Sequence, residues 1–201
     1  MAASVGASHA GVVFAPSPRR MTADGARKVF DAAGTSVKHV GVFVSESADE
    51  VGEIASALAL DAVQLHRDID DRFVDALRRR FAGDIWIVVG VEGSQLEAGW
   101  PLAAAPLRAN AIVLDTSVHG RTGGTGQPFD WESVSAGLVD RGLSIPLVVA
   151  GGLNPRNVGV AVTTLRPHVV DVSSGVESSP GIKDHDLMRA FAEAVHSASI
   201  V

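Results

Sequence analysis

Seven short apolar runs, separated by stretches of helical periodicity, constrain the fold of this chain more than any other feature. They are Gly11–Phe14, His39–Val44, Ala62–His66, Ile85–Val91, Ala111–Thr116, Pro146–Ala150 and Val169–Ser173. Most are almost continuously hydrophobic, the pattern of parallel strands covered on both faces. A sheet with one wet face would alternate apolar and polar residues instead.

The intervening segments carry helix signals. Thr22 opens a helix that buries Ala26, Val29, Phe30 and Ala33. Ser47 and Glu50 have the spacing of a capping box, and Val51, Ile54, Ala55 and Leu58 follow on one stripe. Asp68 can cap the next helix, where Phe73, Leu77 and Phe81 recur every four residues. Its acidic start at Asp70 and Asp71 and basic end at Arg78, Arg79 and Arg80 suit the helix dipole, and Gly83 is a stop. Asn154–Pro155 reads as a cap followed by a first-turn proline, ahead of Val158, Ala161, Val162 and Leu165. The last helix starts near Asp184 and buries Leu187, Phe191 and Val195.

Such a rhythm builds either an open doubly wound sheet or most of a closed barrel, and periodicity alone does not choose. Polar residues fall after several different strands, and the last two strands run into glycine-rich turns, where barrel enzymes hold phosphate groups. That favours a TIM (β/α)8 barrel, with residues 1–201 as a single domain. Seven strands are recognisable, so the barrel is expected to be incomplete, its first strand falling before Met1. Residues 1–8 then read as the tail of a first helix.

Composition narrows the partners. Seventeen Lys and Arg against 23 Asp and Glu give a net charge of -6, which gives no reason to expect a nucleic-acid partner. There is no cysteine, hence no disulfide, no thiol chemistry and no cysteine-held metal. No run reaches the roughly 18 apolar residues of a membrane span. The histidines His9, His119, His168, His185 and His196 lack metal-ligand spacing. The expectation is a cytoplasmic protein without metal or other cofactor; monomer and homodimer both remain open.

Several residues carry chemistry. Asp115 closes an otherwise apolar strand and shares its face with Val113, so it can present a carboxyl to the rim; capping the following loop is its bland role. The loop at 119–131 contains Gly120, Gly123, Gly124 and Gly126, but no Walker or dinucleotide pattern. There Phe129 and Trp131 would tether the loop while Asp130 caps the next helix. Gly151–Gly152 precede a helix start, where backbone amides can meet a phosphate, and Ser173, Ser174 and Gly175 form a second polar turn. Arg19 could pair with a substrate carboxylate through its planar guanidinium. His66, on one face with Gln64, could hydrogen-bond substrate or simply pack at the rim. His39 starts its strand and belongs to the opposite, structural end.

Taken in order, these pieces resemble phosphoribosylanthranilate isomerases of tryptophan biosynthesis. The matching segments are Ser17–Pro–Arg19, Val40–Val44, Val63–His66, Leu114–Thr116, 123–126 with Phe129–Trp131, Ala150–Asn154, Asp171–Glu177 and Gly181–Asp184. The resemblance implies an Amadori rearrangement of N-(5-phosphoribosyl)anthranilate to 1-(2-carboxyphenylamino)-1-deoxyribulose 5-phosphate. By it, Asp115 is the general acid that protonates the furanose ring oxygen, and Arg19 contacts the anthranilate carboxylate. Gly152, Ser173, Ser174 and Gly175 bind phosphate.

The resemblance also implies a base, a cysteine after the first strand, that removes the C2 proton. With no cysteine in the chain, that role passes to no residue; His66 and Glu177 have suitable chemistry but no positional support. Arg20 and Arg67 stand where the family pattern has tyrosine and glycine. The alternative reading is a catalytically silent barrel that binds a phosphorylated small molecule.

Overall fold

The β-branched runs form strands because their side chains bury on both faces while the backbone pairs laterally. The computed structural model describes residues 1–66, 69–96, 108–118, 121–122, 128–140 and 145–199. Among these, the strands are β1 His9–Val13, β2 Lys38–Phe43, β3 Ala62–Leu65, β4 Asp84–Glu92, β5 Gln95–Leu96, β6 Ala111–Val118, β7 Arg121–Thr122, β8 Leu147–Val149 and β9 Val169–Val170. A separate antiparallel ribbon joins β10 Glu177–Ser179 to β11 Ile182–Lys183. The helices are α1 Ala23–Ala33, α2 Ala48–Ala57, α3 Asp71–Arg78, α4 Trp131–Asp140, α5 Val158–Leu165 and α6 His185–Ser199.

Hydrogen-bonded neighbours in the main sheet follow the order β1-β2-β3-β4-β6-β8-β9, with β5 on β4 and β7 on β6. This corrects the expectation of an incomplete barrel of seven strands lacking its first. Among the described residues the sheet has nine strands and does have a first strand, β1, which pairs in parallel with β2 from His9↔Lys38 to Val13↔Val42. The undercount has a physical cause: β5 and β7 are two residues long and antiparallel, too short to leave a hydrophobic run. Residues 1–8 hold a 3-10 turn, Ala3–Val5, closed by Gly6 in the left-handed region.

The chain forms two compact units. Among the described residues, the first holds 1–87 and 108–110, and the second 88–96 and 111–199. In the first, Phe14 stacks on Phe43 at 5.1 Å, within a core that includes Val51, Val63, Leu65, Leu77 and Ile85. Each helix of this unit opens on a side-chain cap. Thr22 accepts from the Gly25 amide, Ser47 and Glu50 form the full capping box, and Asp70 accepts from the Phe73 amide. Asp68, the expected cap of α3, lies outside the described residues; Asp70 fills the role.

In the second unit the core gathers Ile112, Leu114, Phe129, Val149, Leu153, Val158, Ala161 and Phe191. Asp130 caps α4 through the Ser133 amide, and Asp184 accepts from the Asp186 and Leu187 amides at the start of α6. α5 begins at Val158, later than Asn154–Pro155 suggests. Asn154 Oδ1 instead accepts from the Arg156 amide, and its carbonyl accepts from Asn157 and Val158, building a turn ahead of the helix. Leu187, expected in the core, is 37% exposed in the first turn of α6, and the residues of that helix packed on the core are Met188, Phe191, Ala194 and Val195.

Candidate active site

Three adjacent parallel strands of the second unit bring its functional groups together. Ala150 N donates to Leu114 O at 2.8 Å, and Asp171 N donates to Val149 O at 2.8 Å. The backbone thus sets Asp115, the turn after β8 and Asp171 on neighbouring strand ends.

Asp115 is the fifth residue of β6, which runs two residues beyond its expected end, and it is only 7% exposed. Burial is the largest influence on its carboxyl, the Asp171 charge adds to it, and a hydrogen bond with the Thr116 backbone opposes both. The result is a pKa pushed up to about 7. Asp171, which water still reaches, is itself raised by desolvation, against which the Lys183 ammonium works. Asp171 is the charged neighbour of Asp115 to which the sequence reading gives no role. Its signal, a carboxylate closing an apolar run, is the same one that singles out Asp115.

The glycine turns meet these acids and each other. Gly151 (φ 79°) and Gly152 (φ 64°) both occupy the left-handed region, where a side chain is strained. A Cβ on Gly151 would lie 2.4 Å from Thr116 N and 2.8 Å from Asp115 Oδ1. The Gly152 carbonyl is held by Asn157 Nδ2 at 3.0 Å and Asn154 Nδ2 at 3.3 Å. Gly175 lies against the same turn: a Cβ there would fall 1.8 Å from Leu153 O. The two turns read separately in the sequence therefore pack together, Gly175 lying against Leu153 and Asn154. Ser173 precedes a 3-10 turn, Ser174–Val176, and its carbonyl accepts from Lys183 Nζ at 2.8 Å.

The first unit holds the other two expected residues. His66 directly follows β3, its backbone N donating to Phe43 O, and its Nε2 lies 2.9 Å from Gln64 Nε2. Burial pushes its pKa down to about 4, so the ring is neutral near pH 7 and accepts from the Gln64 amide through Nε2. Arg19 follows β1 in a turn where its backbone N donates to Ser17 Oγ at 3.1 Å. Arg20 makes an isolated bridge with Val13. His39 N donates to Asp61 and its ring stacks on Phe30, a packing role. Neither alternative base gains support: His66 is weakly basic, and Glu177 is ion-paired with Lys183 at 3.0 Å. Arg67, His119, Gly120, Gly123, Gly124 and Gly126 lie outside the described residues. Phe129 is buried edge-on to Trp131, with ring centroids 6.5 Å apart.

A carboxyl group protonated near neutrality, beside joined glycine turns at the ends of parallel strands, defines an α/β protein equipped to handle a phosphorylated small molecule. The chain belongs to the N-(5'-phosphoribosyl)anthranilate isomerase family, whose model matches residues 1–194. It is 42% identical over 199 residues to N-(5'-phosphoribosyl)anthranilate isomerase of Pseudomonas fluorescens, covering 96% of this chain and 90% of that protein. Phosphoribosylanthranilate isomerase of Thermotoga maritima superposes with a TM-score of 0.82 at 34% identity, covering 98% of this chain and 91% of the other. Another solved isomerase, also 34% identical with a TM-score of 0.79 and the same coverage, is bound to reduced 1-(o-carboxyphenylamino)-1-deoxyribulose 5-phosphate. The chain functions as an isomerase of tryptophan biosynthesis and takes a phosphorylated small molecule. Among the described residues no helix is long and apolar enough to cross a membrane.

Proposed function

We propose that the substrate is N-(5-phosphoribosyl)anthranilate and that Asp115 is the general acid of its Amadori rearrangement, in a cytoplasmic setting. The observation that carries this reading is the Asp115 carboxyl buried at the end of β6 against the Gly151 turn, where burial pushes its pKa up to about 7. An acid must hold its proton at working pH yet release it in the transition state, and a pKa near ambient pH serves both needs. Asp115 delivers its proton to the ribose ring oxygen as the ring opens to a Schiff base. Loss of the C2 proton then gives an enolamine, which tautomerises to the aminoketone. No residue of this chain is assigned to that second proton.

The joined turn of Gly152, Ser173, Ser174 and Gly175 supports phosphate binding: two strand ends converge there, and left-handed glycines let the backbone approach closely. Arg19 is assigned the anthranilate carboxylate and His66 a neutral hydrogen-bonding contact. The likeness to an isomerase solved with a reduced carboxyphenylamino-deoxyribulose phosphate supports all three assignments. The test is steady-state turnover of phosphoribosylanthranilate by the chain and by Asp115→Asn, alongside binding of the reduced product analogue. Turnover lost in the variant, with analogue affinity retained, is the expected result. Equal turnover in both proteins would remove Asp115 from the reaction. Binding of the analogue without turnover in either would favour the silent phosphate-binding barrel.

A further inference from the structure

Lys183 ends the small β10–β11 ribbon, outside the main sheet, in register with Glu177. Its Nζ donates to Ser173 O at 2.8 Å and to Glu177 Oε1 at 3.0 Å. The pair is asymmetric: the Glu177 side chain is 4% exposed and that of Lys183 40%. A pair exposed at both ends contributes little, but here the carboxylate end is buried, so the lysine faces a partly desolvated charge. The next residue, Asp184, donates its backbone N to Val176 O at 2.9 Å. Residues 183 and 184 thus close a loop around Ser173–Glu177, whose inner face presses on Leu153.

Resting on the functional reading above, we infer that Lys183 is a positioning residue, holding the Ser173–Ser174–Gly175 turn in its phosphate-binding form while serving as counter-charge to Asp171. The two roles are joined by geometry, since one ammonium grips the turn and stands close to the strand end from which that turn departs. Four ionisable groups define the neighbourhood: Asp115 on β6, Asp171 after β9, Glu177 on β10 and Lys183 on β11. The Lys183 charge works against the rise that burial imposes on Asp171, and the Asp171 charge in turn raises Asp115.

The experiment uses the whole chain with Lys183→Met, Lys183→Arg and Glu177→Gln, read by calorimetric titration with inorganic phosphate and by carbon NMR titration of the Asp115 carboxyl. Lys183→Met should weaken phosphate binding about tenfold and lower the Asp115 midpoint, because Asp171 becomes easier to protonate. Lys183→Arg, which keeps the charge, should restore the midpoint. Glu177→Gln should leave it in place, since the lysine remains. A Lys183→Met protein that only melts earlier, with phosphate affinity and midpoint unchanged, would overturn the inference and leave the lysine a strut. If Lys183→Met fails to fold, the midpoint in Lys183→Gln decides by the same criterion. Should the unmodified chain bind neither phosphate nor product analogue, the functional reading falls, while the Asp115 midpoint still tests the Lys183–Asp171 pairing.

Discussion

His66 in the first unit and Asp115 in the second are both buried ionisable groups, yet burial moves them in opposite directions. His66 falls to about 4 and has a neutral partner in Gln64; Asp115 rises to about 7 with a second carboxylate as neighbour. Desolvation disfavours charge in each case, so the histidine loses its proton and the aspartic acid keeps one. Both are therefore neutral near pH 6, one as acceptor and one as donor. The Gln64 partner settles His66 in place, whereas the neighbouring Asp171 charge adds to burial in keeping the proton on Asp115. Broken local rules gather around the second group: left-handed glycines, a helix without a side-chain cap and a pair of acids.

The largest expected effect on this contrast is catalytic. Asp115→Asn should lower kcat by about 10²–10⁴-fold, the usual worth of a positioned general acid, while His66→Asn should act mainly on KM. Steady-state kinetics on both variants checks the division, and a larger kcat loss at His66 would reverse it.

Next comes pH. Asp115, with its folded pKa raised, contributes stability that is complete below its unfolded value of 3.8 and is lost as pH rises through about 7. The loss amounts to at most about 4 kcal/mol, from roughly three pH units at about 1.36 kcal/mol each. Urea unfolding of Asp115→Asn should show that decline abolished. His66, with its folded pKa lowered, contributes stability that is complete above 6.5 and is lost as pH falls toward about 4. In His66→Gln the acid-side loss of up to about 3 kcal/mol should vanish. Slopes of the same sign in the two variants would contradict the opposed titrations.

A smaller effect tests packing. Gly175→Ala drives a methyl into Leu153 O and should cost about 3 kcal/mol, whereas Gly11→Ala, with nothing within 4 Å, should be nearly silent. Thermal unfolding compares them directly. Smallest is Ser47→Ala, which opens the α2 capping box and should cost about 1 kcal/mol.

The same contrast governs what the sequence discloses. The first unit is legible because its signals are local: Thr22, Ser47 and the spaced apolar residues act on neighbours three or four positions away. Even there the cap of α3 comes from Asp70, two positions beyond the residue the periodicity suggests. In the second unit the glycine turns and Asp115 stand out in the sequence, but their union does not. Gly175 meets Leu153 and Asp171 bears on Asp115 only through the sheet, across separations no periodicity records. The two-residue strands β5 and β7 are hidden for another reason, being too short to leave a pattern. Lys183 reads as an ordinary surface lysine until Ser173 and the buried Glu177 are seen beside it.

The contact of Gly175 with the Leu153 carbonyl bears on how this protein could be reshaped for other ligands. Two loops separated by some twenty residues share one face, with no room between them for even a methyl group. A library that diversifies only one loop will mostly sample collisions with the other, and lengthening one alone lifts it away from its support. Bulkier or differently charged sugar phosphates will be accommodated by paired changes, selected together across residues 151–154 and 173–175.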